Sequence, residues 1–271
     1  MTADEPDWVP PEVDTKRANV ARVYDYWLGG SHNFLPDQDL GRSIAAVEPN
    51  IRAMARANRA FLGRAVRFLA AAGIRQFLDI GSGIPTEGNV HEVAQHAAPG
   101  AHVVYADLDP VAVAHSKAIL AGNQDAAIIE ADLREPQKIL SHHAVGRLID
   151  FSQPTALLLV MVLHFIADAD DPRRIVATLR DALAPGSYLV LGHATDESKP
   201  AVAQALEKVY NRSVATQGHA RSRAEILQFF DGFDLVDPGL VYMPQWRPDS
   251  PADLPDDPSQ FWALVGVGRT P

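Results

Sequence analysis

The sequence predicts an α/β fold: a doubly wound, mostly parallel sheet of seven strands, closed by a terminal antiparallel hairpin and carrying added N-terminal helices. Three observations predict it. Strand-like apolar runs alternate with helical patterns five times between residues 77 and 192. The run TALLLVMVLHFI is almost continuously apolar, as a parallel strand covered on both faces must be. The stretch FLDIGSGIPTEGN, Phe77 to Asn89, joins a short strand to a glycine turn and a late helix start.

That glycine turn organises the rest. Gly81, Ser82 and Gly83 follow the strand at its carboxyl end, where open α/β sheets bind ligands. Glycine there permits positive φ and lets a ligand lie against the main chain. Asp79 would repel a pyrophosphate but suits an amino group or a sulfonium, so the turn points to a nucleotide-like ligand carrying positive charge. A dinucleotide fingerprint would place its third glycine where Thr86 stands, which counts against NAD.

Composition narrows the class. The chain has 271 residues, with 24 basic against 34 acidic side chains and a formal charge of −10, which works against nucleic-acid binding. Cysteine is absent, removing disulfides, thiolate nucleophiles and cysteine metal sites. The ten histidines show no metal-ligand spacing, so no metal is expected. The opening MTADEPDWVPPEVD lacks the apolar stretch of a signal peptide, and no run reaches the roughly 20 residues of a membrane span. A cytoplasmic protein with no membrane or nucleic-acid partner is expected, with a disordered tail over 1–17 and one domain over 18–271.

In order along the chain, Val20, Val23, Tyr24 and Trp27 share a helix face that Gly29 and Gly30 terminate. The SHNF that follows, with Asn33, could hinge polar and aromatic groups over a site, making about 18–50 a helical lid; plain packing is the alternative. Tyr24, Tyr26, Trp27 or Phe34 could then cover a cationic ligand. A helix over 51–72 carries Arg52, Arg56, Arg59 and Arg67 as a solvated stripe, with Arg59 placed to hold a ligand carboxylate. Asn89 and Glu92 cap the helix after the glycine turn.

HVVYADLDP ends a second strand in two acids. Asp109 precedes Pro110 and a helical pattern, so it is an N-cap; Asp107 has no such structural role and is expected to bind ribose hydroxyls. Asp132, ending the third strand, either accepts from an exocyclic amine or caps a turn. His164 and His193 end the fourth and fifth strands. A helical stretch over 196–217, a capping box from Ser222 and Glu225, and two antiparallel strands around 240–246 and 261–268 complete the chain.

FLDIGSGIP, VVYADLDP, ADLREP, LLLVMVLHFI and LAPGSYLVL resemble the ordered motifs of class I S-adenosylmethionine-dependent methyltransferases, whose sheet is Rossmann-like. The flanks ARVYDYWLGGSHNF and NRAFLGRAVRFLA resemble more narrowly an actinobacterial family of S-adenosyl methyltransferases with no established substrate. The resemblance implies S-adenosyl-L-methionine as cofactor, with Asp79, Gly81, Ser82 and Gly83 around its methionine part. It further implies Asp107 on the ribose, Leu108 against adenine, and Asp132 with Leu133 at the adenine edge. Pro85 stands where the general pattern has its last glycine.

Methyl transfer to a small-molecule acceptor by in-line displacement is the expected chemistry. It demands alignment more than acid catalysis, since the leaving thioether is neutral. His164 is the first candidate for a base and His193 the second; for His164 the alternative is a packed residue shaping the pocket. A cofactor-binding protein that transfers nothing, and an NAD-dependent oxidoreductase, are the rival readings. The oligomeric state is not legible in the residues.

Overall fold

The structure is a computed structural model that describes residues 13–85, 88–213 and 218–271, with only the backbone of 211–213. Its strands are β1 (Gln76–Ile80), β2 (His102–Asp107), β3 (Ala126–Glu130), β4 (Ala156–Val160), β5 (Tyr188–Ala194), β6 (Asp234–Leu235), β7 (Val241–Tyr242) and β8 (Ala263–Arg269). They lie in one sheet in the order β3-β2-β1-β4-β5-β8-β6, with β7 also paired to β8. The first five strands are mutually parallel; β8 runs antiparallel to β5, with Leu191 opposite Gly266.

The sheet has eight strands rather than seven. Asp234 and Leu235 add a short strand opposite Arg269 and Gly268. The strand expected over 240–246 shrinks to Val241–Tyr242, because Met243–Gln245 winds into a 3₁₀ turn at Pro244, which has no N–H to give a ladder. Chain order reverses at β1, whose neighbours are β2 and β4, so a crevice opens at the carboxyl ends of these strands.

The helices are α1 (Val20–Leu28), α2 (Leu35–Val47), α3 (Ile51–Ala71), α4 (Val90–Ala97), α5 (Pro110–Ile119), α6 (Pro136–Leu140), α7 (His143–Leu148), α8 (Pro172–Arg180), α9 (Pro200–Ser213) and α10 (Arg223–Leu227). Alternate strand residues feed two cores. Phe77, Leu158, Val190 and Val265 pack with α3 on one face; Leu78, Leu157, Leu159 and Leu191 pack with α8 and Phe230 on the other. Among the described residues no helix is long and apolar enough to cross a membrane.

The N-terminal helices belong to the first core. Asn19 caps α1 by accepting from the Ala21 N–H at 2.7 Å, and Gly29 ends it at φ 85°. Within the segment expected as a lid, Val23, Trp27, Leu40 and Ile44 are buried with the sheet face. At its far end, Lys199 before α9 pairs with Glu48 at 2.8 Å. Residues 1–12 of the expected tail lie outside the described residues. Residues 13–17 are held: the buried Arg22 guanidinium donates to the carbonyls of Asp14 and Arg17, and Val13 packs near Ile84 and Val111.

Candidate active site

The carboxyl end of β1 dictates two glycines for different reasons. A Cβ on Gly81, at φ 74°, would lie 2.3 Å from Cγ2 of Val162, so the neighbouring strand's exit leaves no room. Gly83, at φ 68°, has no described atom within 4 Å of where its Cβ would be. It therefore offers bare backbone to a ligand.

Asp107 meets this turn. Its Oδ2 accepts from the Gly83 N–H at 2.7 Å and its Oδ1 from the Asp109 N–H at 2.9 Å. This corrects the expectation that Asp107 plays no structural part, because its carboxylate clamps the glycine turn to β2. Burial pushes its carboxyl above the usual range, opposed by the N–H groups of Asp109, Gly83 and Leu108. Each oxygen retains acceptor capacity for a hydroxyl.

Arg59, Asp79, Ser82, Gly83, Asn89 and Tyr105 line one cleft beside the turn. Burial raises the Asp79 carboxyl to about 7, against the pull of Arg59 and with a push from Asp107. Arg59 reaches across from α3 and donates to the Gly88 carbonyl at 3.0 Å. The Ser82 hydroxyl is buried and has no hydrogen-bond partner among the described residues. An orphaned hydroxyl, a buried acid and an arginine around bare backbone fit a zwitterionic amino-acid moiety such as the methionine part of S-adenosylmethionine.

Other expected residues sit less directly. Leu108, next to Asp107, is 56% exposed and offers an apolar face at the mouth. Leu133 is buried in the second core. Asp132 is engaged by Arg134, whose Nε donates to Oδ2 at 2.9 Å; burial opposes ionisation, but that guanidinium holds the carboxyl below its ordinary value. The structure thus brings Asp79, Ser82, Gly83 and Arg59 to one cleft and Asp107 to its rim, but places neither Asp132 nor Leu133 among the residues lining it. Thr86 lies outside the described residues.

Tyr24 donates to the Ala55 carbonyl at 3.0 Å and accepts from Asn58 at 2.9 Å, so its hydroxyl is tied to α3. Asn33 donates to Asp25 at 2.8 Å and accepts from Gln38 at 3.0 Å. The organiser is Asp25, buried in α1 and unremarked in the sequence: it also accepts from the His32 N–H at 2.9 Å. A Cβ on Gly30 would sit 2.0 Å from its Oδ1.

Beyond β4 the chain turns through Met161, a non-glycine residue at φ 58°, into the 3₁₀ turn Leu163–Phe165 that carries His164. Such backbone strain is concentrated at functional sites. Burial first, then His193, Arg221 and His219, hold the His164 pKa well below the ordinary value, so its ring is neutral. Burial, chiefly, takes His193 down to about 3, and both its nitrogens are committed. Nδ1 bonds the Ala194 carbonyl at 2.7 Å, which makes it the donor, and Nε2 accepts from Arg221 at 2.8 Å. The expectation of His193 as an alternative base is therefore corrected: no lone pair is left for it.

Sequence reasoning missed the buried arginines. Arg64, on the same helix as the stripe expected to be solvated but not one of its residues, donates to the carbonyls of Trp246 and Met243. Arg22 stands 3.7 Å from both Asp37 and Asp109. The sole advance signal was the i, i+3 placement of Arg22 and Asp25 on a helix otherwise rich in aromatics.

The chain matches the family described as S-adenosyl methyltransferase over residues 6–271. A crystal structure from Thermobifida fusca YX, described provisionally as a methyltransferase, is 44% identical, with a TM-score of 0.91 over 98% of this chain and 99% of that one. A DUF574 family protein from Streptomyces avermitilis MA-4680 is 37% identical, with a TM-score of 0.91 over 95% of this chain and 99% of that one. An O-methyltransferase family protein from Burkholderia thailandensis, 14% identical with a TM-score of 0.52, covers 83% of this chain and 62% of that one and shares the fold alone. No curated protein matches the chain significantly. The chain belongs to the S-adenosyl methyltransferase family, and S-adenosylmethionine is the cofactor of its methyl transfer.

Proposed function

We propose that the protein methylates a small-molecule acceptor by in-line displacement, with the cofactor held at the carboxyl ends of β1 and β2 and the acceptor met by the turn after β4. The observation that carries this reading is the convergence of Gly83, Asp107, Asp79, Arg59 and Ser82 at the reversal of strand order. When bound, the cofactor supplies an electrophilic methyl group on a sulfonium. Asp79 would face its ammonium, Arg59 and the Ser82 hydroxyl its carboxylate, Asp107 the ribose hydroxyls and Leu108 the adenine face. Asp132 would reach the adenine amine only by sharing its carboxylate with Arg134.

The protein's own share of the chemistry is orientation and exclusion of water, which can supply roughly 7 to 11 kcal/mol. His164, neutral at the mouth of β4, would accept a proton from the acceptor. Calorimetric titration with S-adenosylmethionine, S-adenosylhomocysteine and NAD tests the cofactor half of the reading. Micromolar binding of the first two and none of NAD is expected; NAD binding alone would overturn it. Product analysis after incubation with methyl-labelled cofactor and candidate small molecules tests the acceptor half.

A further inference from the structure

We infer that His164, His219 and Arg221 form an acceptor subsite built for a weakly acidic hydroxyl, a phenol or an enol. The inference rests on the reading of the β4 turn as the acceptor side, and goes beyond it in naming the acceptor chemistry and two residues. Polar groups from distant parts of the chain gather there. The His219 N–H donates to the His164 carbonyl at 2.7 Å, locking the two residues side by side. Arg221 clamps the turn at both ends, donating to the Leu163 carbonyl at 3.1 Å and the Ile166 carbonyl at 2.9 Å. It also binds His193 Nε2 at 2.8 Å and Asp168 Oδ1 at 2.6 Å.

Within this cluster two ring nitrogens are buried and lack any partner among the described residues: Nδ1 of His164 and Nε2 of His219. Buried polar atoms are nearly always paired, so two orphans on interlocked residues mark bonds that a ligand completes. The contacts of His193 and Arg221, by contrast, serve the scaffold. Phe165, with its ring 3.9 Å from His164 and 6.0 Å from Tyr210, adds an aromatic wall suited to a planar ligand.

Charge selects among ligands. Arg221 is a fixed cation that is 6% exposed, while the Asp168 carboxylate that pairs with it is 85% exposed and so largely screened. A cationic ammonium acceptor is disfavoured beside it, and an incipient oxyanion is favoured. The depressed basicity of His164 points the same way, since a weak base takes a proton from a phenol or enol far more readily than from an aliphatic alcohol. The acceptor O–H bond breaks and its proton passes to Nδ1 of His164 in the Nε2–H tautomer. The oxygen pair forms the new bond to the methyl carbon, the carbon–sulfur pair stays on sulfur, and the imidazolium returns its proton to solvent. Arg221 is a positioning residue here: it touches the turn, not the acceptor.

The test uses the full-length protein without cofactor and 4-nitrophenol, whose phenolate is yellow, followed by absorbance across pH. Bound 4-nitrophenol should ionise more readily than in water, by about tenfold in its ionisation constant. 4-Nitrobenzyl alcohol, which carries an aliphatic hydroxyl, should bind at least tenfold more weakly. His164→Ala should abolish the shift and His219→Gln should reduce it. Arg221→Met should lose it while Arg221→Lys retains part, an outcome that a merely structural role would not produce; thermal unfolding of each variant shows that it is folded. If Arg221→Met does not fold, the two histidine variants decide. No binding of 4-nitrophenol, ionisation unchanged from water, or equal binding of the benzyl alcohol would overturn the inference. A parallel titration with S-adenosylmethionine separates the failures: intact cofactor binding confines the loss to the acceptor proposal, and absent cofactor binding removes the underlying reading as well.

Discussion

The Gly83 amide donates a 2.7 Å hydrogen bond to the carboxylate of Asp107, so the residue proposed to grip the cofactor's ribose also holds the glycine turn closed on β2. On that proposal cofactor recognition and loop geometry share one side chain. Replacing it should disturb both.

Asp107→Ala is expected to weaken S-adenosylmethionine binding by about 1 to 3 kcal/mol, the cost of losing charge-assisted hydrogen bonds. It should also lower the unfolding midpoint, since the Gly83 and Asp109 N–H groups lose their acceptor. Calorimetry and thermal unfolding check the two effects; unaltered affinity would refute the ribose assignment.

Gly81→Ala should destabilise the protein by about 1 to 3 kcal/mol through positive φ and the clash with Val162. Adding Val162→Ala should recover the steric part and leave the backbone part. Urea unfolding of the single and double variants measures both, and full stability in Gly81→Ala would show that the turn relaxes freely.

Asp79 makes stability fall with rising pH. Its folded pKa, about 7, lies above the ordinary 3.8, so between these values the folded state holds a proton that the unfolded state has released. The contribution is complete below pH 3.8 and is lost as pH climbs through about 7. In Asp79→Asn the slope of unfolding free energy against pH should flatten over that window. Cofactor affinity in the unaltered protein should instead rise through the same window, as the ionised acid meets the ammonium. Denaturation and calorimetry at a series of pH values would show either trend absent if the assignment is wrong.

Arg22→Met should cost about 3 to 5 kcal/mol, because Asp37 and Asp109 would remain buried without their cation. Asp109 caps α5, two residues beyond Asp107, so a weaker cofactor affinity should accompany the loss. Denaturant unfolding measures the first effect and calorimetry the second. A cost below about 1 kcal/mol would mean that the two carboxylates find other compensation.

Much was legible in the residues because it is local. Strand runs, the 51–71 helix, the glycine turn and the caps at Asn89, Asp109 and Ser222 follow from periodicity and from bonds spanning two to four positions. The turn at Gly81 to Gly83 and the acid at Asp79 carried the correct ligand class for the same reason: strand, glycine and acid are contiguous. The short strand β6 was not legible, since two residues carry no period, and β7 was read too long because Pro244 turns the chain early.

What the tertiary structure alone decided is where the charges go. No local pattern marks Arg22, Arg64 and Arg221, yet each is buried against carbonyls or acids, in the case of Arg64 that of Trp246 far along the chain. Asp107 acquires its second role, and His193 loses its basicity, only once β2 meets the glycine turn and Arg221 meets β5. The sequence by itself determined the mostly parallel sheet and the glycine turn at the end of its first strand, because apolar periodicity and turn chemistry act over a few neighbouring residues, and its ordered motifs carried the resemblance that implied the cofactor. The pairing of buried polar groups is a matter of distance in space, and only the folded chain supplies that.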